Sequence, residues 1–524
     1  MSTRTSSPST RRRAGRAWGV VAALAAASLL LSGCLSALIP EESQRPAASS
    51  PSPDTSGVSA ALLPFYEQNL GWSDCGAQLD CTMVTAPLDW SDPGKGEIQL
   101  SVIRHRANDG NPVGSLLTNP GGPGASGVAL IRDSLSFAVG TDVSRVFDVI
   151  GFDPRGVGES SAVTCFDSAD MDSYLFDFAP GARGSTEWEA SLNAAHQRFA
   201  DACQANSDGI LQYITTHNSA HDMDLLRAVL GDSKLNYLGY SYGTFLGATY
   251  AELYPDRVGR LVLDGAIDPS VSGIEVSTTQ ALGFESALRA YMADCLTSQD
   301  CPFRGTVDEA MSDLATLLAS VDSMPLPAAD GRILGADSLM TAIVAALYSK
   351  GNWQYLSVAL TDALAGDPEF AFVLADFYYN RENGEYLDNS TEAFRAYNCM
   401  DYPADGTEAD AAASQATIEE GAPTVAPYWS GPDACAAWPF PPTGTRGAIA
   451  AAGAAPILVI GTTNDPATPY EWSVALAEQL ESGVLITRVG EGHTGYNKGN
   501  ACVDDAVDAY LIEGIVPADD LRCE

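Results

Sequence analysis

Apolar runs of five to seven residues recur along this chain, separated by stretches whose apolar positions fall at helical rather than alternating spacing. Residues 113–118, 146–152, 235–239 and 260–264 each read as a strand buried on both faces, and each is followed by a glycine-bearing turn. Residues 456–461 and 484–489 add two more strands, with a closing helix over 501–514. Strands that alternate with helices predict a mostly parallel sheet covered on both faces. Between the two strand-bearing blocks, patterns such as 307–321 and 338–349 are helical and strand-like runs are few. A structureless loop of that length does not fit a compact domain, so residues 270–450 are predicted to form a helical cap inserted into the sheet domain. The sheet domain itself is then built from residues 58–269 and 451–524, a division that suits a chain of 524 residues.

With 46% hydrophobic and 18% charged residues the composition is that of a globular protein. Charge matters mainly as an exclusion. The formal charge is −39, and residues 1–33 hold five arginines and no acid, so the remainder is more acidic still. Such a surface repels nucleic acid and anionic headgroups, and no nucleic-acid partner is expected.

At the N-terminus Arg11, Arg12, Arg13 and Arg16 precede an apolar run over 18–31, which is too short to span a bilayer and predicts an export signal over 1–33. It ends in Leu31-Ser32-Gly33-Cys34, which resembles the bacterial lipobox, whose cysteine is lipidated after cleavage in front of it. Cys34 is therefore the expected lipid anchor to the extracytoplasmic face of the membrane, and residues 34–57, rich in Ser, Pro and Ala, the flexible tether. Eleven cysteines make an odd count, and assigning Cys34 to lipid leaves ten for an oxidising compartment. Sequence neighbours suggest Cys75 with Cys81, Cys165 with Cys203, Cys295 with Cys301, Cys399 with Cys435, and Cys502 with Cys523, although spacing alone does not fix a pairing. No C-x-x-C pair or His-rich cluster argues for a metal site.

The chemistry is concentrated in four places. Gly239-Tyr240-Ser241-Tyr242-Gly243 follows an apolar strand and precedes a helix-forming stretch, and in that context a G-x-S-x-G pentapeptide is a nucleophile elbow. A serine hydroxyl needs a histidine base and a carboxylate to orient it. Of the five histidines only His493 lies after Ser241, and it directly follows the last predicted strand. Asp465 stands just past the strand beginning at 456, which gives the order Ser, Asp, His expected of an α/β-hydrolase. Asn119-Pro120-Gly121-Gly122-Pro123-Gly124 supplies an exposed backbone after another strand, and the N–H groups of Gly122 and Tyr242 are the oxyanion-hole candidates. These residues predict acyl transfer without a cofactor. A non-catalytic binding protein on a retired hydrolase scaffold would lack a triad member, and none is missing.

With these stretches in place, the chain resembles the secreted actinobacterial tripeptidyl aminopeptidases and their lipoprotein relatives, in the proline iminopeptidase-like branch of the α/β-hydrolases. The resemblance rests on residues 119–124, Gly151-Phe-Asp-Pro-Arg-Gly-Val-Gly-Glu-Ser160, residues 239–243, Ala396-Tyr-Asn-Cys-Met-Asp401, the run to Asp465 and the glycine-flanked His493. It covers the chain from about residue 60 to its end, apart from most of the cap. It implies an α/β-hydrolase fold and exopeptidase action on free peptide or protein N-termini. Carboxylesterase or lipase action with the same triad is the alternative that it leaves open. Asp153 and Arg155 are expected to brace loops near the site. A free N-terminal ammonium needs a carboxylate partner. Asp401 is the candidate; equally, it is a helix or turn cap beside Pro403.

Overall fold

The computed structural model describes residues 52–403 and 406–524. The export signal, Cys34 and most of the tether lie outside these residues. Ten strands form one sheet: β1 (Ser73–Gly76), β2 (Leu79–Pro87), β3 (Glu97–His105), β4 (Ser115–Asn119), β5 (Asp148–Phe152), β6 (Leu235–Tyr240), β7 (Val258–Asp264), β8 (Ile457–Asn464), β9 (Gly483–Glu491) and β10 (Leu521–Cys523). Their spatial order is β1-β2-β3-β5-β4-β6-β7-β8-β9-β10. All neighbours from β5 to β10 run parallel, while β1, β2 and β3 form an antiparallel edge joined to β5.

Burial explains which strands the apolar pattern reveals. Every residue of β4 is buried, as a parallel strand covered on both faces requires, and it reads as an unbroken run. In β2 buried and more open positions alternate over a sequence rich in Asp, Cys and Thr, so no run forms and the strand is silent at that level of reading.

Helices cover the sheet: α1 (Gly127–Ala138), α2 (Ser168–Phe176), α3 (Thr186–Asn206), α4 (Thr216–Val229) and α5 (Tyr242–Leu253) precede or flank β5 to β7, and α13 (Tyr470–Gln479) and α14 (Ala501–Glu513) follow β8 and β9. Between β7 and β8 the chain is helical, as α6 (Gly273–Cys295), α7 (Val307–Ser323), α8 (Ala336–Leu347), α9 (Trp353–Leu364), α10 (Glu369–Tyr378), α11 (Ser390–Asp401) and α12 (Glu408–Gly421). Each of α6 and α7 begins at a Ser or Thr whose side chain accepts the N–H three residues on, and Thr306 with Glu309 completes a capping box. Most of these inserted helices share a hydrophobic cluster of their own around Leu288, Leu314, Leu339 and Leu360. Helix α11 differs: Ala393, Ala396, Tyr397 and Met400 belong to the cluster beneath the sheet, so this helix is fastened to the hydrolase body.

All five neighbouring cysteine pairs are disulfide-bonded. Arg155 is fully buried and reaches both carboxylate oxygens of Asp222, at 2.7 and 2.8 Å, as well as the carbonyls of Pro87, Leu88 and Tyr213. It is a bracing residue with no donor left for a substrate. Asp153 does related work, accepting from the Ser126 hydroxyl and from the N–H groups of Val128 and Glu159, which ties the glycine loop to the end of β5.

Candidate active site

Ser241 lies between the end of β6 and the start of α5 with φ 56° and ψ −123°, a conformation that L-residues rarely adopt. The turn closes because the glycines around it have no side chain. A Cβ on Gly239 would lie 2.4 Å from the Gly243 carbonyl, and one on Gly121 would lie 2.5 Å from the Tyr240 carbonyl. That second approach brings the glycine loop against the elbow, because the same Gly121 position is 2.8 Å from Ser241 Cβ and 3.2 Å from Tyr242 N. The Gly121 N–H is engaged by Asn119 Oδ1 at 3.0 Å, and the N–H groups of Gly122 and Tyr242 stay as the oxyanion-hole candidates.

His493 follows β9, and its Nδ1–H donates to Asp465 Oδ1 and Oδ2 at 2.9 Å each. Asp465 is almost fully buried at the end of β8. It accepts the N–H groups of Ala467 and Thr468 on Oδ1, and the Thr494 N–H and Thr468 hydroxyl on Oδ2, at 3.0 to 3.1 Å. A carboxylate that meets Nδ1 with both oxygens can only accept there, which keeps the proton of a neutral imidazole on Nδ1. Nε2 is then the basic nitrogen, and it is buried without a hydrogen-bond partner among the described residues.

The imidazole lies close to the end of β7, the strand paired beside the nucleophile's. A Cβ on Gly265 would be 3.1 Å from His493 Cε1, and the preceding residue, Asp264, accepts the Ser241 N–H on its carbonyl at 2.9 Å. The three residues that the sequence singles out thus come together at the carboxyl ends of β6, β8 and β9. No hydrogen bond joins His493 Nε2 to Ser241 among the described residues; catalytic contacts of this kind are often long in a free enzyme and tighten when substrate binds.

The inserted helices touch each catalytic loop. Gly283 of α6 packs against the Pro466 carbonyl, and Gln280 Nε2 donates to the Ala467 carbonyl at 2.7 Å. Tyr348, just past α8, accepts the His493 N–H on its carbonyl at 2.8 Å and sets its ring edge-on to the imidazole with centroids 5.2 Å apart. At the start of α11 the Ser390 carbonyl and Phe394 N–H press on Gly124 of the glycine loop. A surface cleft of about 480 Å³ lined by Phe166, Tyr386 and Glu392 contains none of the catalytic candidates.

Asp401 requires a correction. It is 3% exposed, its carboxylate accepts the Thr216 N–H at 2.9 Å and the Thr216 hydroxyl at 2.6 Å, and that hydroxyl is in turn 2.6 Å from Tyr242 Oη. Thr216 is the first residue of α4, so Asp401 caps a helix terminus and presents no free oxygen to a substrate amine. Burial pushes its carboxyl up to about 6, against the pull of those donors and of Arg446. The sequence-level reading missed Thr468, Tyr348 and Asp264. Asp264 had a signal, being an acid at the end of a strand beside the nucleophile's, whereas nothing marks Tyr348 in a helical stretch.

A strained serine elbow, a histidine paired to an aspartate and a mostly parallel sheet that carries all three define a serine hydrolase of the α/β-hydrolase class. A family model described as TAP-like protein matches residues 422–523. The chain is 35% identical to Serine protease Hip1 of Mycobacterium tuberculosis over 98% of its own length and 99% of that protein's. It is 37% identical to Carboxylesterase B of the same organism, covering 84% of this chain and 86% of that one, and 30% identical to Tripeptidyl aminopeptidase of Streptomyces lividans, covering 89% of each. The chain belongs to the tripeptidyl aminopeptidase-like family of α/β-hydrolases, and it is a serine hydrolase enzyme.

Proposed function

We propose that the protein is an extracytoplasmic peptidase that removes short peptides from free N-termini through an acyl-enzyme on Ser241. The observation that carries the mechanism is the His493–Asp465 pair, which engages Nδ1 and leaves Nε2 without a partner among the described residues. Ser241 Oγ attacks the substrate carbonyl carbon as its proton passes to His493 Nε2. The developing oxyanion is met by the N–H groups of Gly122 and Tyr242. The C–N bond breaks as the imidazolium returns that proton to the leaving amine. Water, deprotonated by the same nitrogen, then releases the acyl group, and the proton goes back to Ser241. Asp465 holds the tautomer and stabilises the imidazolium without taking the proton.

Peptidase action is supported by the relatives named serine protease and tripeptidyl aminopeptidase, and carboxylesterase action by the relative named Carboxylesterase B. Parallel assays on peptidyl amides with a free amine, the same peptides N-acetylated, and short acyl esters separate the two. The peptidase reading expects free-amine peptides to be cleaved best, with tripeptides among the products by mass spectrometry. Turnover of esters alone would replace it by the esterase reading.

The anchor at Cys34 is part of the same proposal, resting on Leu31-Ser32-Gly33-Cys34 and on ten other cysteines that pair among themselves. Wild-type protein should partition with membranes and incorporate labelled fatty acid. Cys34→Ser should abolish the label; persistent labelling would refute this anchor.

A further inference from the structure

Five consecutive backbone amides around the catalytic histidine are all engaged, by four residues from three different parts of the fold. The Gly492 N–H donates to the Asn464 carbonyl of β8, and the His493 N–H to the Tyr348 carbonyl. The Thr494 N–H goes to Asp465, while those of Gly495 and Tyr496 both go to the carboxylate of Asp264, at 2.8 Å each in their shorter contacts. Asp264 is fully buried at the end of β7, and its own carbonyl accepts the Ser241 N–H at 2.9 Å. One residue therefore holds the backbone of the nucleophile and, through its side chain, the backbone that follows the base.

We propose that Asp264 is a positioning residue of the active site, whose carboxylate fixes the loop behind His493 and with it the reach of the imidazole toward Ser241. The inference rests on the assignment of His493 as the base. Asp264 is not a second triad acid, because Asp465 holds the Nδ1 proton and the oxygens of Asp264 are engaged by main-chain donors.

Chemistry explains why a carboxylate stands there. Gly495 and Tyr496 offer two N–H donors that point into one buried spot, and a carboxylate has an oxygen for each. An asparagine would have to turn its NH₂ toward one of them. Charge is the second reason. Lys498 and His493 both act on Asp264, and the Lys498 ammonium has no hydrogen-bond partner among the described residues, lying over the Phe137 ring 3.0 Å from its centroid. Tyr240 and Tyr496 complete the surroundings, their hydroxyls donating to the Ala138 carbonyl and to Asp508, while Arg488 and Asp504 act on Lys498 from outside. Burial pushes the Asp264 carboxyl up to about 6 and the Lys498 ammonium down to about 8, so the pair is charged near neutrality. A loop released by even part of an ångström misplaces a reacting nitrogen, and a displacement near 1 Å costs on the order of 100-fold in rate.

The test is Asp264→Asn together with Lys498→Met, read as kcat, KM and the pH profile of kcat/KM on a short acyl ester. Asp264→Asn should lower kcat by roughly 10- to 100-fold with KM little changed. It should also move the acid limb to lower pH, because a negative charge beside the imidazole is gone. Lys498→Met removes a positive charge and should move the limb to higher pH. A merely structural role would lower activity without moving the limb. Normal kcat in folded Asp264→Asn, or an acid limb unmoved in that variant, would overturn the proposal. If Asp264→Asn does not fold, Asp264→Ser, which removes the same charge and leaves one acceptor oxygen, is read by the same two criteria. The base assignment is judged separately by His493→Ala: substantial turnover in that variant would remove the premise, whatever Asp264→Asn does.

Discussion

Replacing Ser241 by Ala should lower kcat by a factor on the order of 10⁴ or more while leaving the fold and its melting temperature close to those of the wild type. The expectation of an intact fold comes from the structure. The Ser241 side chain makes no capping bond to α5, so removing its oxygen leaves no partner unsatisfied. The strained backbone at φ 56° costs about 1–3 kcal/mol in any L-residue, and Ala inherits that strain without adding to it. What holds the turn is the close approach at Gly239 and Gly121, which the substitution does not touch. A fluorophosphonate probe should label the wild type and not Ser241→Ala. Near-normal turnover by the folded variant would show that the nucleophile lies elsewhere.

How far the sequence carried this argument differs from element to element. The strands that lead to Ser241 and Asp465 are buried on both faces, and the one that leads to His493 is buried at Leu485, Ile486 and Thr487; all three announce themselves as apolar runs, so the triad was legible from the chain alone. Strands β1 and β2 were not, because β1 is exposed throughout and β2, with one more open face, places Asp80 and Thr82 among its buried residues. Asp401 shows the limit for side chains. Its motif was correctly singled out, yet only the fold reveals that Thr216, 185 residues away in sequence, occupies its oxygens. Tyr348 shows the limit for main chain: its contribution is a carbonyl, which every residue has, and no side-chain pattern marks which one will meet His493. Even α11, which falls inside the stretch that reads as one helical cap, packs its Tyr397 under the sheet with its hydroxyl donating to the Arg155 carbonyl.

Asp465→Asn should be nearly as damaging as loss of the nucleophile, lowering kcat by about 10⁴ with the fold retained, because an amide changes which nitrogen of His493 carries the proton. The carboxylate accepts from Nδ1 with either oxygen at 2.9 Å, while Ala467 and Thr468 supply amide donors to one oxygen and Thr494 supplies another to the second. An asparagine has one acceptor oxygen for this ring of donors, so its NH₂ must replace an acceptor on one side. Turned toward the imidazole, it donates to Nδ1 and drives the proton onto Nε2, which can then no longer accept from Ser241. Turned toward the main chain, it faces N–H groups that also donate and loosens the loop after β8, at a cost of about 1–3 kcal/mol for the donors left without partners. The first arrangement removes the base and the second displaces it. Either way the acylation of Ser241 slows, and it slows equally for amide, ester and fluorophosphonate, since all three need the same proton transfer. Rapid-mixing measurements of the acylation rate on an ester, set beside the rate of probe labelling, give the decisive comparison. A folded Asp465→Asn protein that loses less than about 10-fold in both would strip Asp465 of its orienting role and turn attention to Asp264, the other buried carboxylate that reaches the loop of His493.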